Sequence, residues 1–262
     1  MALATPSPQV LDFGARVAAA YAKLIARGNA DPESGLGGRL FYAGEMDEEG
    51  RALVVAANIA GAATLAASAD RAAQKQSLRD GIADFLVTSL DEALRILKNQ
   101  LRKRETASVC VAIEPAAVER EMNERGVAPD LERRDLPLAS LHEVRISEKG
   151  EPGETALSGA LALVLWRANS ALHGDLALLD EVALASLDPN DWAARRWLRL
   201  APRYLGRMAQ GLRLLQAQRQ FAARFEEELC ARVNRGEIAF PCEIRSYFGE
   251  LEEKHRFNTE KF

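Results

Sequence analysis

The stretch LFYAGEMDEEGRALVVAANIAGAATLAASAD, from Leu40 to Asp70, determines the fold class that the sequence predicts. The stretch begins with an apolar run, 40–43, that ends before Gly44. An acidic loop, 45–49, then leads to Gly50. No charged residue occurs from Ala52 to Ala69, which predicts a buried helix ending at Gly61 and then a buried strand. Strand, loop, helix, turn and strand in this order form the first βαβ unit of an α/β domain.

The same alternation continues as far as Asp135 and predicts a parallel sheet covered by helices on both faces. An N-terminal helix and a linker at 1–38 precede this Rossmann-like domain at 39–135. The predicted helices begin at residues near Glu48, Asp70, Ser89 and Pro115. The predicted strands are 40–43, 63–67, 83–88, 108–113 and 127–131.

The pattern changes after Asp135, and we predict a mainly α-helical C-terminal region at 136–262. An irregular connection comes first, with an edge strand within 139–147. Pro189 and Pro202 suggest helix starts, because proline suits the first turn of a helix. The predicted helices are 155–170, 175–187, 189–200 and 202–235. A charged tail follows, and we expect its end to be partly mobile. The fold class is therefore α/β, a Rossmann-like parallel sheet flanked by helices, with an α-helical C-terminal region.

Composition narrows the function classes. A net charge of −4 and a pI near 5.6 argue against nucleic acid as the main partner. The uncharged stretch is alanine-rich and contains Asn58, so we predict no membrane span. The N-terminus lacks a basic segment followed by an apolar one, so we expect no signal peptide. Three scattered cysteines suit a reducing compartment, and we predict a cytoplasmic protein.

Residues from Leu40 to about Asp130 resemble the central NAD-binding domain of urocanases (urocanate hydratases). The matching segments are LFYAG at 40–44, NIAGAATLA at 58–66, TSLDEAL at 88–94 and RGVAPDL at 125–131. The resemblance implies a Rossmann-like fold and, in the family, an NAD cofactor. It also places the pocket positions at Gly44, Gly50, Ser68, Asp70, Thr88 and Glu114.

The cofactor loop departs from the family pattern, in which a GLGGMGGAQ-like segment follows the first strand. This chain has GEMDEEGRA at 44–52 instead. Side chains at Met46, Asp47 and Glu49 obstruct the backbone approach that a pyrophosphate needs, and the carboxylates repel a dianion. The family pattern has an acidic residue near the end of the second strand that would bind the ribose. This chain has Ser68 there, and Asp70 is a possible substitute displaced by two residues. The sequence thus disfavours NAD and leaves the cofactor unknown.

Other residues carry a chemical and a structural interpretation side by side. The acidic run 47–49 suits a metal or cationic ligand, or the positive end of a helix dipole. His142 with Glu143, and His173 with Asp175, are candidate acid–base pairs or solvated polar residues. Asn58 is a candidate for the pocket or for packing, and Cys110 for the core. We assign no catalytic residue and no metal ligand, because no hydrolase, metalloprotease or phosphate-loop motif occurs.

The segment Trp192 to Arg207 carries arginines at four-residue spacing. One interpretation is a stripe that binds an anion or nucleic acid. The other is a face that is solvated or paired within the protein. The arginines of this segment are Arg195, Arg196, Arg199, Arg203 and Arg207. The apolar stripe predicted on the last helix needs a cover, which favours a homo-oligomer formed through the C-terminal helices.

Two functional hypotheses follow. The first is a urocanase-like protein without urocanate hydratase activity that acts as a binding or interaction module. The alternative is an enzyme, resembling a hydro-lyase, that uses NAD or a nucleotide in a remodelled pocket. That pocket would receive a small molecule at the carboxyl edge of the sheet.

Overall fold

The protein is described by a computed structural model, which covers residues 8–136, 161–168, 173–206, 211–248 and 251–257. Within these ranges the chain divides into two compact units. The parallel unit takes in the first range from Ala19 onward, together with 203–206. The antiparallel unit takes in the other described residues, including 8–18.

The parallel unit is built on a five-stranded, all-parallel sheet with the strand order β3-β4-β2-β1-β5. The fold class predicted for this part of the chain, a Rossmann-like parallel sheet flanked by helices, is therefore confirmed. Its elements are the end of α1 (Pro8–Arg27), β1 (Leu40–Glu45), α2 (Glu48–Ala60), β2 (Ala63–Ala67), α3 (Arg71–Arg79), β3 (Phe85–Val87), α4 (Leu90–Lys103), β4 (Ser108–Val111), α5 (Pro115–Glu124), β5 (Leu131–Glu132) and a 3-10 turn (Arg133–Asp135).

Helices α4 and α5 cover one face of this sheet. The apolar cluster there joins Leu40 and Leu65 of the strands to Leu97 of α4 and Met122 of α5. Because side chains alternate along a strand, Phe41 points to the opposite face, and it is fully buried. Every connecting helix begins where a strand ends, so the helix N-termini gather at the carboxyl edge of the sheet.

Asp130 fixes the start of β1, which lies between β2 and β5. Its carboxylate accepts a hydrogen bond from the Leu40 backbone N–H at 2.8 Å and one from the Arg39 guanidinium at 2.9 Å. The Asp130 N–H donates to the Leu40 carbonyl at 2.9 Å. The RGVAPDL segment thus aligns β5 beside β1, which is a framework role.

The antiparallel unit contains a four-stranded antiparallel sheet with the order β7-β6-β8-β9. Helix α8 packs on one face, where Phe225 meets Trp166 edge-on at 5.1 Å between ring centroids. The Trp166 indole N–H donates to Asp180 at 3.0 Å. The elements are β6 (Leu161–Ala168), α6 (His173–Ser186), α7 (Trp192–Leu205), β7 (Leu212–Gln218), α8 (Arg219–Asn234), β8 (Cys242–Phe248) and β9 (Leu251–Phe257).

The antiparallel sheet corrects part of the C-terminal prediction. The described residues of this region contain three helices. However, 161–168 within the predicted helix 155–170 is strand β6, and 212–218 within the predicted helix 202–235 is strand β7. Leucines at 212 and 215 fit helical spacing, and leucines at 212 and 214 fit strand alternation equally well. Gly211, with φ of +77°, lies between α7 and β7. This glycine is the sequence signal that one helix does not continue through 202–235.

One further prediction near the C-terminus was wrong. Pro202 does not begin a helix; it lies in the last turn of α7, where its missing N–H removes only one helical hydrogen bond. The charged C-terminal segment contributes strands β8 and β9, which pair with each other along their whole length. The predicted mobility concerns the end of this segment, and 258–262 lie outside the described residues.

None of the helices that the structure describes combines the length and the apolar character needed to cross a bilayer. The predicted edge strand within 139–147 lies outside the described residues.

Candidate functional site

The six predicted pocket residues lie at, or shortly after, the carboxyl ends of four adjacent strands. Gly44 is near the end of β1, and Gly50 is in the first turn of α2. Ser68 and Asp70 follow β2. The remaining two, Thr88 and Glu114, follow β3 and β4 and are exposed. The topology therefore brings all six to one edge of the sheet, although their role as ligand contacts remains a prediction.

Ser68 and Asp70, which follow β2, form hydrogen bonds with neighbouring residues of the chain. The Asp70 carboxylate caps α3 by accepting a hydrogen bond from the Ala72 N–H at 2.8 Å. Ser68 is fully buried, and its hydroxyl accepts from the Asp70 N–H at 3.3 Å. The Ser68 carbonyl accepts from the Gln74 side chain at 2.7 Å. In this arrangement Asp70 acts as a helix cap.

The loop after β1 keeps two of the glycine functions of a nucleotide-binding loop. Gly44 has φ of +70°, a left-handed conformation that favours glycine. At Gly50, a Cβ atom would lie 1.9 Å from the Glu45 carbonyl oxygen, so only glycine lets α2 approach β1 this closely. Between them, Asp47 caps α2 by accepting from the Gly50 N–H at 2.7 Å.

Arg133 closes this loop from the other side. Its guanidinium donates to Asp47 at 3.0 and 3.1 Å, to Glu49 at 2.5 Å and to the Glu45 carbonyl at 3.3 Å. Burial opposes the charged guanidinium, but the two carboxylates outweigh it and raise the pKa of Arg133. Arg133 could not be recognised from the sequence, because the contact depends on β5 lying directly beside β1.

The carboxyl edge is strongly acidic beyond this cluster. Burial raises the pKa of the Tyr42 hydroxyl well above its usual range, and Glu119, Glu45 and Glu132 raise it further. The Tyr42 hydroxyl donates to the Pro115 carbonyl at 3.4 Å, at the start of α5. An anionic ligand would therefore meet several carboxylates at this edge.

The other residues singled out in the sequence do not lie together at the carboxyl edge in the described part of the structure. Cys110 is fully buried, and burial raises its thiol pKa to about 11, as expected for a core position. Asn58 is buried in the last turn of α2, which ends at the amino edge of the sheet, so it does not face the pocket. His142 lies outside the described residues, and His173 is the first residue of α6. The described residues contain no cluster of three or more metal-ligating side chains.

The arginine stripe on α7 is at least partly paired within the protein. Arg195 donates to the Leu184 carbonyl at 3.1 Å, and Arg203 lies over the Tyr204 ring at 5.4 Å from its centroid. Trp197 on the same helix is buried and donates to the Leu214 carbonyl at 2.6 Å. Arg207 lies outside the described residues. These contacts favour the internally paired interpretation for Arg195 and Arg203.

Replacing Asp70 by alanine is expected to lower the free energy of unfolding by about 1 kcal/mol, since α3 loses its cap. Asp70→Asn is the matched control, because asparagine also caps helices, and a change of only a few tenths of a kcal/mol is expected. Urea unfolding followed by circular dichroism measures both. Equal losses in the two variants would assign the effect to the charge of Asp70 instead.

Comparison with known families agrees with this architecture. Residues 17–144 match the family described as the urocanase Rossmann-like domain. The match includes the whole parallel sheet and Arg133. Residues 17–144, just under half of the chain, are therefore similar to the Rossmann-like domain of urocanases.

Proposed function

We propose that this urocanase-type domain has lost NAD binding and hydratase activity and serves as a binding or interaction module. The ion pairs of Arg133 with Asp47 and Glu49 carry the proposal. In a dinucleotide-binding loop, one glycine makes the tight turn, one lets the backbone approach the pyrophosphate, and one allows close helix packing. Gly44 and Gly50 retain the first and third functions. The middle function is lost, because the side chains of Met46 and Asp47 stand where the backbone would approach the pyrophosphate.

Electrostatics supports the same conclusion. A helix N-terminus binds phosphate through N–H groups that point at the ligand. Here the Gly50 N–H is already bonded to Asp47, a carboxylate of the protein itself. Two carboxylates, Asp47 and Glu49, share the Arg133 guanidinium. A pyrophosphate placed in this loop would meet these carboxylates in place of N–H donors.

Titration calorimetry of NAD into the full chain tests the loss of cofactor binding. We expect no saturable heat up to about 1 mM NAD, whereas a dehydrogenase titrated with the same stock should bind normally. Micromolar NAD binding, or turnover of urocanate in the presence of NAD, would overturn the proposal. The same titration with ATP and ADP examines the alternative of a nucleotide-dependent enzyme.

Exposed apolar side chains support the interaction role. Among the described residues, the large apolar side chains with the greatest exposure are Phe85 at 42%, Leu78 at 40% and Leu86 at 37%. Phe85 and Leu86 lie on β3, an edge strand of the parallel sheet. Edge strands and exposed apolar patches are common sites of protein association. The earlier proposal of an oligomer through the C-terminal helices has less support, because Phe221 and Phe225 of α8 are buried within their own unit.

Light scattering coupled to size-exclusion chromatography tests this role. We expect the full chain to form a homodimer that Phe85→Asp converts to a monomer. Thr88→Asp is the matched control, since it adds the same charge at an exposed position near the same strand. A monomeric native chain, or a dimer unaffected by Phe85→Asp, would contradict association through this edge.

A further inference from the structure

The free edge of β3 differs from the other edge of the parallel sheet. Natural proteins protect edge strands with charged side chains, proline, bulges or very short strands, because an unpaired edge invites another strand. At the other edge, β5 has two residues and ends in the charged Glu132. Strand β3 contains neither a charge nor a proline, and its Phe85 and Leu86 are exposed. An apolar and unprotected edge is typical of a strand that pairs in the assembled protein.

The side chains of β3 are apolar on both faces of the sheet. Val87 is buried in the apolar cluster with α4 and α5, so Phe85, two residues earlier, lies on that face. Leu86 points to the opposite face. Leu78 of α3, a helix that contacts β3, is exposed as well. A strand that pairs with β3 therefore meets apolar side chains above and below the sheet.

The short sequence of β3 is suited to pair with a second copy of itself. In a twofold dimer that extends the sheet, the two edge strands run antiparallel, and one residue lies on the axis opposite its own copy. With Leu86 on the axis, it meets Leu86 of the second copy on one face. On the other face, Phe85 meets Val87 of the second copy. Apolar cross-strand pairs then form throughout the joined strands.

Charges on α4 agree with the same arrangement. Asp91 pairs with Arg125 of α5, so the side of α4 that carries Asp91 faces α5. Glu92 and Lys103 are exposed and lie about 100–120° around the helix from Asp91, on the side turned away from α5. Because α4 follows β3 and returns along the sheet, Glu92 lies near the carboxyl end of β3 and Lys103 near its amino end.

The twofold axis brings these opposite charges together. The carboxyl end of one β3 meets the amino end of the other, so Glu92 of each copy approaches Lys103 of the second copy. Within its own chain, Lys103 has an exposed ion pair with Glu105 at 3.8 Å, which holds it only weakly. Since each end of α4 carries a different sign of charge, this edge suits a second copy better than a uniformly acidic or basic partner.

We propose that two copies of this chain associate by antiparallel pairing of their β3 strands, with the twofold axis at Leu86. The pairing joins two five-stranded sheets into one continuous sheet. This inference rests on the association proposed above and specifies its geometry.

Cysteine cross-linking tests the position of the axis. Directly opposed residues have Cβ atoms about 4.5–5.5 Å apart, whereas the two copies of Thr88 would lie about 13 Å apart along the strands, too far for a disulfide. The variants carry Cys230→Ser, which removes the exposed native thiol. With oxidised glutathione, which accepts the two electrons and two protons of the thiols, Leu86→Cys should form a covalent dimer at least about tenfold faster than Thr88→Cys.

Charge reversal on α4 provides a second test. Lys103→Glu should raise the dissociation constant of the dimer about threefold or more, because it places two like-charged pairs across the axis. The double variant Glu92→Lys/Lys103→Glu should restore the native value. Lys98→Glu, the same change on the side of α4 that faces α5, should leave the dissociation constant unchanged.

The outcomes separate this pairing from the association on which it rests. A native chain that stays monomeric contradicts both. A native dimer in which Leu86→Cys cross-links no faster than Thr88→Cys keeps the association and overturns the pairing of β3. A double variant that dissociates as readily as Lys103→Glu would also overturn the pairing. Circular dichroism of each variant confirms that it has folded.

Discussion

Gly50→Ala is expected to destabilise the parallel unit by about 3 kcal/mol or more. The added Cβ would lie 1.9 Å from the Glu45 carbonyl oxygen, and both atoms belong to, or are attached directly to, backbone. No side chain can rotate to relieve this contact, so α2 must move away from β1. Alanine gains about 1 kcal/mol of helix propensity over glycine, which is too little to offset the clash.

Gly174→Ala is the matched control for this prediction. Gly174 is also in the first turn of a helix, α6, and an added Cβ would meet no atom within 4 Å. This variant should be neutral or slightly stabilising. Urea unfolding measures both variants, and similar stability for Gly50→Ala and the native chain would show that α2 adjusts freely.

The parallel unit was largely predictable because its signals are local. Gly61 ends α2, Asp70 and Ser89 cap the helices that follow them, and Pro115 begins α5, all as predicted. Each of these residues acts on its own neighbours along the chain, so no knowledge of tertiary contacts is needed. The carboxyl edge of the sheet followed from that order of elements, whereas the residues predicted along it came from the resemblance to urocanases.

The decisive long-range contacts were not predictable, because they join distant parts of the chain. Arg133 reaches Asp47 only because β5 lies beside β1, and a two-residue strand leaves almost no trace in a sequence. Similarly, Arg167 meets Glu243 only once β6 and β8 have paired. The sequence of β6 is apolar almost throughout and fits a buried helix as well as a strand, so it does not indicate its pairing partner.

The second large effect is expected at Glu243. Glu243→Gln leaves two guanidinium groups, Arg167 and Arg245, without their shared carboxylate in a largely buried setting. Removing one partner of a buried ion pair typically costs about 3–5 kcal/mol, and we expect a loss of about 3 kcal/mol here. Glu228→Gln is the control, because its half-exposed pair with Arg232 should contribute about 0.5 kcal/mol or less.

The pH dependence gives this prediction a second signature. Because folding lowers the pKa of Glu243, its stabilising contribution is present above the ordinary value of 4.5 and is lost as the pH falls through the lower, folded value. The native chain should therefore lose stability below about pH 4.5 more steeply than Glu243→Gln. The stability difference between the two should shrink with acidification in urea unfolding measured from pH 7 downward. A difference that stays constant with pH would mean that packing, and not the carboxylate charge between the two arginines, makes Glu243 important.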